Sequence, residues 1–227
     1  QILTNMSWIF YAVVVLVIVV LGYLNWIGFF KKIVPYTTVF KACEAFYRSY
    51  QGPFDKSLGV HFTNMYNDVS THASGGHAFN RGGTKMFGIY YDDPDEYKDH
   101  SQLRADIGFI VNTTSLVTKD REKLVKDMEE KGYKYTKFAE TSCLFGSFPV
   151  RKPMFLGYIL GPKKFYTALK TMILKDESIL KGSKDLPGHA FVETYTQDEI
   201  NFYCPLENVK QFYLTQLDAP TKSKKND

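Results

Sequence analysis

The sequence predicts an α+β domain of two β-α-β-β repeats behind a single N-terminal transmembrane helix. Three observations predict it. Residues 8–30 (WIFYAVVVLVIVVLGYLNWIGFF) carry no charge. Beyond them, runs with strand-like alternation are interleaved with runs whose apolar residues recur at helical spacing. The order strand, helix, strand, strand occurs twice, with an extra helix between the halves, a pattern of α+β folds with antiparallel hairpins.

Taken in order, the anchor comes first. As a helix, the step from Trp8 to Trp26 spans roughly 27 Å, about the hydrocarbon thickness of a thin bilayer such as that of the endoplasmic reticulum. Trp8 and Trp26 suit the two interfaces, and Lys31 and Lys32 close one side. Nothing basic lies on the other side, so residues 1–7 are expected as a lumenal stub and the bulk of the chain in the cytosol. A buried core helix or a cleaved signal peptide would also account for an apolar run. Ile9–Leu21, however, lacks the polar punctuation of a core helix, and residues 1–7 lack a basic n-region.

Pro35 introduces a strand over 36–47, and a turn is expected at Arg48–Pro53. Leu58, Phe62, Met65, Tyr66 and Val69 fall on one face of a helix spanning 54–73. Residues 74–84 (SGGHAFNRGGT) form a Gly-rich loop, and no GK[ST] closes it into a phosphate loop. Strands follow at 85–92, ended by Asp92-Asp93-Pro94, and at 103–112. Thr118 caps a helix that Gly132 ends. Strands at 133–140 and 142–150 lead, through 153–160, to a helix from Gly161-Pro162 to about Ile179. Two strands, 189–196 and 200–204, are separated only by Gln197-Asp198-Glu199 and read as a hairpin. The domain therefore spans 36–217, and 218–227 is a Lys-rich tail expected to be disordered.

Composition narrows the function. Of 227 residues, 44% are hydrophobic and 16% aromatic, which argues for a folded body. The net charge of +4 is too mild and scattered for a nucleic-acid footprint, though it suits a domain near an anionic membrane. Three cysteines without a CxxC pair read as reduced thiols. The five histidines form no HExxH and no Cys/His ligand set, and Ser142 and Cys143 sit in no nucleophile elbow, so neither metal, cofactor nor enzymatic activity is expected.

Phe87–Pro94 (FGIYYDDP), Leu103–Gly108 (LRADIG) and Phe191–Leu206 (FVETYTQDEINFYCPL) resemble the two ends of a GyrI-like domain. With the anchor added, the chain resembles the reticulophagy-receptor branch of that family over about residues 8–217. The resemblance implies a duplicated β-α-β-β fold with a central groove, where bacterial relatives bind amphipathic, often cationic, molecules and some hydrolyse reactive compounds. It places the groove's carboxylate at Glu193. A carboxylate among aromatic residues would attract an organic cation, with Tyr90, Tyr91 or Tyr195 supplying π faces. A solvated Glu193 on the outer face of an edge hairpin is the alternative.

Two features of the tail bear on location and partners. The acidic aromatic-x-x-aliphatic tail of the receptors has no counterpart here. Lys224 and Lys225 match a dilysine retrieval signal of reticulum membrane proteins, or else belong to a solubilising tail. The sequon at Asn112 would stay unglycosylated in a cytosolic domain. The expectation is a single-pass, non-enzymatic adaptor or accessory subunit of the reticulum membrane, its partners the lipid bilayer and a membrane protein complex, with an amphiphile or lipid as possible ligand. The rival is a membrane-tethered sensor or hydrolase of small amphiphiles.

Overall fold

The computed structural model describes residues 2–70, 85–111, 118–176, 179 and 190–215. The Gly-rich loop, His72, His77, Asn112, Lys224 and Lys225 lie outside the described residues. The fold is α+β, with one curled eight-stranded antiparallel sheet and, among the described residues, four α-helices.

Helix α1 (Ile2–Trp26) stands apart from the domain. Its Trp8–Trp26 segment is long and apolar enough to cross a membrane, and none of it is buried in the structure. The helix stops four residues before the end of the apolar run. Gly28, at φ +82°, takes the left-handed conformation that ends helices, and Phe29 N–H reaches back to Leu24 O at 2.9 Å. Phe29, Phe30, Lys31 and Lys32 therefore lie beyond the helix.

The first predicted strand is two. β1 (Tyr36–Phe40) and β2 (Cys43–Gln51) separate at Lys41-Ala42, and β2 runs through most of the expected turn. α2 (Lys56–Ser70), β3 (Lys85–Tyr90) and β4 (Arg104–Val111) complete the first half. The second comprises α3 (Thr118–Glu130), β5 (Lys134–Phe138), β6 (Thr141–Pro149), α4 (Met154–Lys175), β7 (Phe191–Tyr195) and β8 (Glu199–Pro205).

α4 starts two turns earlier than its sequence indicates and continues through Pro162. Gly157 and Gly161 weaken its helical signal, but packing requires them. A Cβ at Gly157 would lie 3.1 Å from Pro149 O, and one at Gly161 3.1 Å from Phe148 Cβ.

The strand order is β1-β6-β8-β7-β3-β4-β2-β5. The two repeats thus share one sheet rather than forming two. They meet at the β3–β7 seam, where Gly88 faces Glu193. On either side the order reads alike: β3-β4-β2 mirrors β7-β8-β6. Each outermost strand comes from the opposite repeat. β1 precedes β2 but pairs with β6, and β5 precedes β6 but pairs with β2.

Side-chain alternation separates three clusters. On one sheet face, Phe46, Ile107 and Phe109 pack under α2 and α3 through Met65 and Leu124. On the same face, Leu144, Phe148 and Phe202 pack under α4 through Phe165 and Leu169. The other face curls around Phe40, Phe87, Phe138, Val192 and Phe212. Phe40 and Phe138, from the two edge strands, meet there at 5.9 Å. A groove between α2 and α4 stays open over the seam.

Candidate functional site: a carboxylate among phenols

The groove has a volume of about 1180 Å³. Its floor is the β3–β7 seam. Phe54 and Phe62 wall it on the α2 side, and Tyr158, Ile159, Pro162 and Tyr166 of α4 wall it on the other. Because side chains alternate along a strand, Glu193 and Tyr195 point the same way, and so does Tyr90, two residues beyond the Gly88 that opposes Glu193.

Glu193 is buried, with 5% exposure. Tyr166 Oη donates to its Oε1 at 2.6 Å, and Tyr195 Oη donates to its Oε2 at 2.8 Å. Since Tyr195 gives its one proton to Glu193, Tyr90 is the donor in the 2.6 Å contact between the two phenols. The result is a relay, Tyr90 to Tyr195 to Glu193, met from the far side by Tyr166. Among the described residues no Lys, Arg or His forms an ion pair with Glu193.

Burial pushes the Glu193 carboxyl above its ordinary range, and the two phenol hydrogen bonds oppose that rise. Burial beside the carboxylate holds Tyr166 and Tyr195 well above the usual phenol value. Tyr90 rises for the same reasons. These hydroxyls are donors at neutral pH and do not ionise to nucleophiles.

Gly88 builds this geometry. A Cβ there would sit 2.8 Å from three atoms of the Tyr90 phenol, so the Tyr90 ring lies flat across the strand beside Glu193. Phe54 meets Tyr90 edge-on at 5.0 Å, and Phe62 meets Tyr195 at 5.2 Å. Tyr158 adds a third ring, 6.1 Å from Tyr195.

Tyr91 departs from its expected role. Although part of it touches the groove, its hydroxyl turns to the opposite face, donating to Asp106 Oδ2 at 2.5 Å. Asp92, which follows, is held by Arg104 through Nε at 2.9 Å and Nη2 at 2.8 Å, and accepts the Arg104 N–H at 2.8 Å. The YYDDP segment therefore serves mainly to close the β3–β4 hairpin. Tyr166, which sequence reasoning missed, completes the site instead. Its signal is a second stripe on α4, Tyr158-Pro162-Tyr166-Lys170, repeating every four residues beside the Phe165-Leu169 core stripe.

The far rim of the groove is acidic. Asp55, Asp93, Asp95 and Glu96 line it, against Lys163 and Lys170. Lys170 is engaged with Asp93 at 2.5 Å. The balance of the lining is therefore negative.

Among the described residues no cluster of three His, Cys, Asp or Glu side chains has the arrangement of a metal site. Cys43, Cys143 and Cys204 are free thiols, each pushed up to about 12 by burial. Trp8 and Trp26 are exposed on α1, and Lys31 and Lys32 follow its end.

No family model and no curated protein matches the chain. Among solved structures, the EcmrR C-terminal domain is similar at 12% identity, with 76% of this chain and 96% of that one covered and a TM-score of 0.44. SAV2435 bound to tetraphenylphosphonium is similar at 8% identity, covering 78% and 95%, with a TM-score of 0.45. A hydrolase encoded by lin2189 from Listeria innocua stands at 10% identity, 78% and 95% coverage, and a TM-score of 0.44. These likenesses are loose.

Proposed function

We propose that this chain is a membrane-anchored, non-enzymatic binding protein whose groove holds an amphipathic organic cation against Glu193. The observation that carries this reading is the buried carboxylate, satisfied by phenols and facing an open aromatic groove, with no ion-pair partner among the described residues. Two phenols meet its hydrogen-bonding needs but leave its charge uncompensated. A buried charge is costly until an opposite one is brought to it. An inorganic cation would retain its water and gain little from the surrounding rings. An organic cation with apolar substituents gains from both, since Tyr and Phe faces attract a cation by about 0.5–2 kcal/mol each.

The adaptor role, the reticulum membrane and the cytosolic placement belong to the same proposal, supported by the apolar α1 and by Lys31 and Lys32 after it. Under it, the liganded domain serves a larger membrane complex as an accessory subunit. Turnover is disfavoured because burial holds the groove's phenols protonated and raises the three thiols.

The test uses the full chain in lipid nanodiscs, titrated with tetraphenylphosphonium. Saturable binding is expected, weakened about ten-fold or more by Glu193→Gln, the equivalent of at least about 1.4 kcal/mol. Equal affinity in the two proteins would refute the cation reading. Glu193→Gln is expected to leave proteins co-purifying in gentle detergent unchanged. Losing them would make the groove itself the protein docking site.

A further inference from the structure

The joint between α1 and the domain is built, not loose. Ile27 and Ile33 are buried, and Ile33 belongs to the cluster beneath α4. A Cβ at Gly28 would lie 2.9 Å from Phe148 Cζ and 3.0 Å from Pro149 Cγ. A Cβ at Gly146 would lie 2.7 Å from Ile33 Cγ2. Lys164 Nζ donates to Phe29 O at 2.8 Å and to Lys31 O at 3.0 Å. The anchor thus fixes how the domain stands relative to any bilayer that α1 crosses.

Those contacts also give direction. Ile33 lies beside Gly146, and Gly28, nearer the membrane helix, lies beside Phe148 and Pro149. β6 therefore runs toward the anchor, and the segment after it, Val150–Pro153, is at the membrane end. α4 begins there and runs away. Its first turns expose Met154 at 42%, Phe155 at 59%, Tyr158 at 41% and Ile159 at 59%. Phe29 and Phe30 are exposed at the same end, and Arg151 and Lys152 precede the helix. An apolar surface with adjacent cations, continuous with a membrane helix, has the composition of an interfacial contact. Tyr158 and Ile159 are also walls of the groove.

We infer that the first two turns of α4 sit in the bilayer interface beside α1, so the groove opens at the membrane surface and receives its amphiphile from the lipid. The bilayer contact stands on the joint and the exposed residues. The route of loading rests on the proposed cation site.

The test keeps the full chain in nanodiscs, in a Cys43→Ser background, with spin labels at Phe155→Cys, Ile159→Cys and Leu174→Cys. Leu174 is 84% exposed on the same helix, and 19 residues from Phe155 places it about 28 Å along the axis. Collision with oxygen relative to a water-soluble nickel chelate is expected to be several-fold higher at 155 and 159 than at 174. Equal, water-like values at all three positions overturn the contact. Met154→Ser with Phe155→Ser, which alters no groove wall, is expected to slow capture of bilayer-loaded tetraphenylphosphonium about ten-fold while changing Kd less than two-fold. An unchanged capture rate overturns the route. Absence of any Glu193-dependent binding beside lipid-embedded labels removes the cation site and upholds the contact.

Discussion

At the scale of single residues, Glu193 controls two pH dependences of opposite sign. Its carboxyl is raised in the folded protein by burial. In the unfolded chain it has an ordinary value of about 4.3. The unfolded chain therefore releases this proton first, and the group's contribution to stability, full below that value, is lost as pH rises through the folded pKa. Thermal unfolding of the ligand-free protein from acid to neutral pH is expected to show this loss, and Glu193→Gln to flatten it. Cation binding needs the ionised form, so affinity for tetraphenylphosphonium is expected to rise over the same window and then level off. An affinity independent of pH there would separate binding from Glu193. Asp92 gives a contrasting prediction. Asp92→Asn removes the negative charge from the buried ion pair with Arg104, and a loss of about 3–5 kcal/mol is expected in chemical denaturation.

At the scale of elements, the central strands β3 and β4 depend on glycines. Gly108 in β4 has no room for a side chain: a Cβ there would lie 2.1 Å from Phe46 O and 2.6 Å from the Phe87 ring. Gly108→Ala is expected to cost about 2–3 kcal/mol, read by denaturant midpoint, because neither the backbone nor the ring can yield without repacking. Gly88→Ala acts differently, meeting the Tyr90 phenol first. It is expected to weaken tetraphenylphosphonium binding several-fold by displacing the Tyr90 hydroxyl from Tyr195, while far-UV dichroism stays unchanged. The elements also show where sequence reasoning succeeded and where it stopped. Leu58, Met65 and Val69 mark α2 because they share one helix face, and Gly132 marks the end of α3. The β7–β8 hairpin is legible from its short Gln197–Glu199 link. The break at Lys41-Ala42 is not, because local alternation says nothing about which distant strand is the partner. The start of α4 is hidden by glycines that serve Pro149 and Phe148, tertiary contacts without local trace. Within the site, the YYDDP segment carries the resemblance to GyrI-like domains, yet Tyr91 and Asp92 hold a hairpin together. Tyr166 follows the Phe165 core position in sequence, and only the fold turns it toward Glu193.

At the scale of the whole molecule, the pseudo-two-fold seam explains why the site lies where it does. The central strands β3 and β7 come from equivalent positions in the two halves, and at their crossing one carries Gly88 and the other Glu193. Symmetry supplies the cleft between two matching helices, and its breaking supplies the charge. Each half has also lent its leading strand to the other's edge. A half-length polypeptide of this pattern would have an unmatched strand to give and an unfilled edge to receive one, so it would close only by reciprocal exchange with an identical copy. The present chain has the architecture of such an interlocked pair fused head to tail, and separating its halves would require unthreading both edges at once.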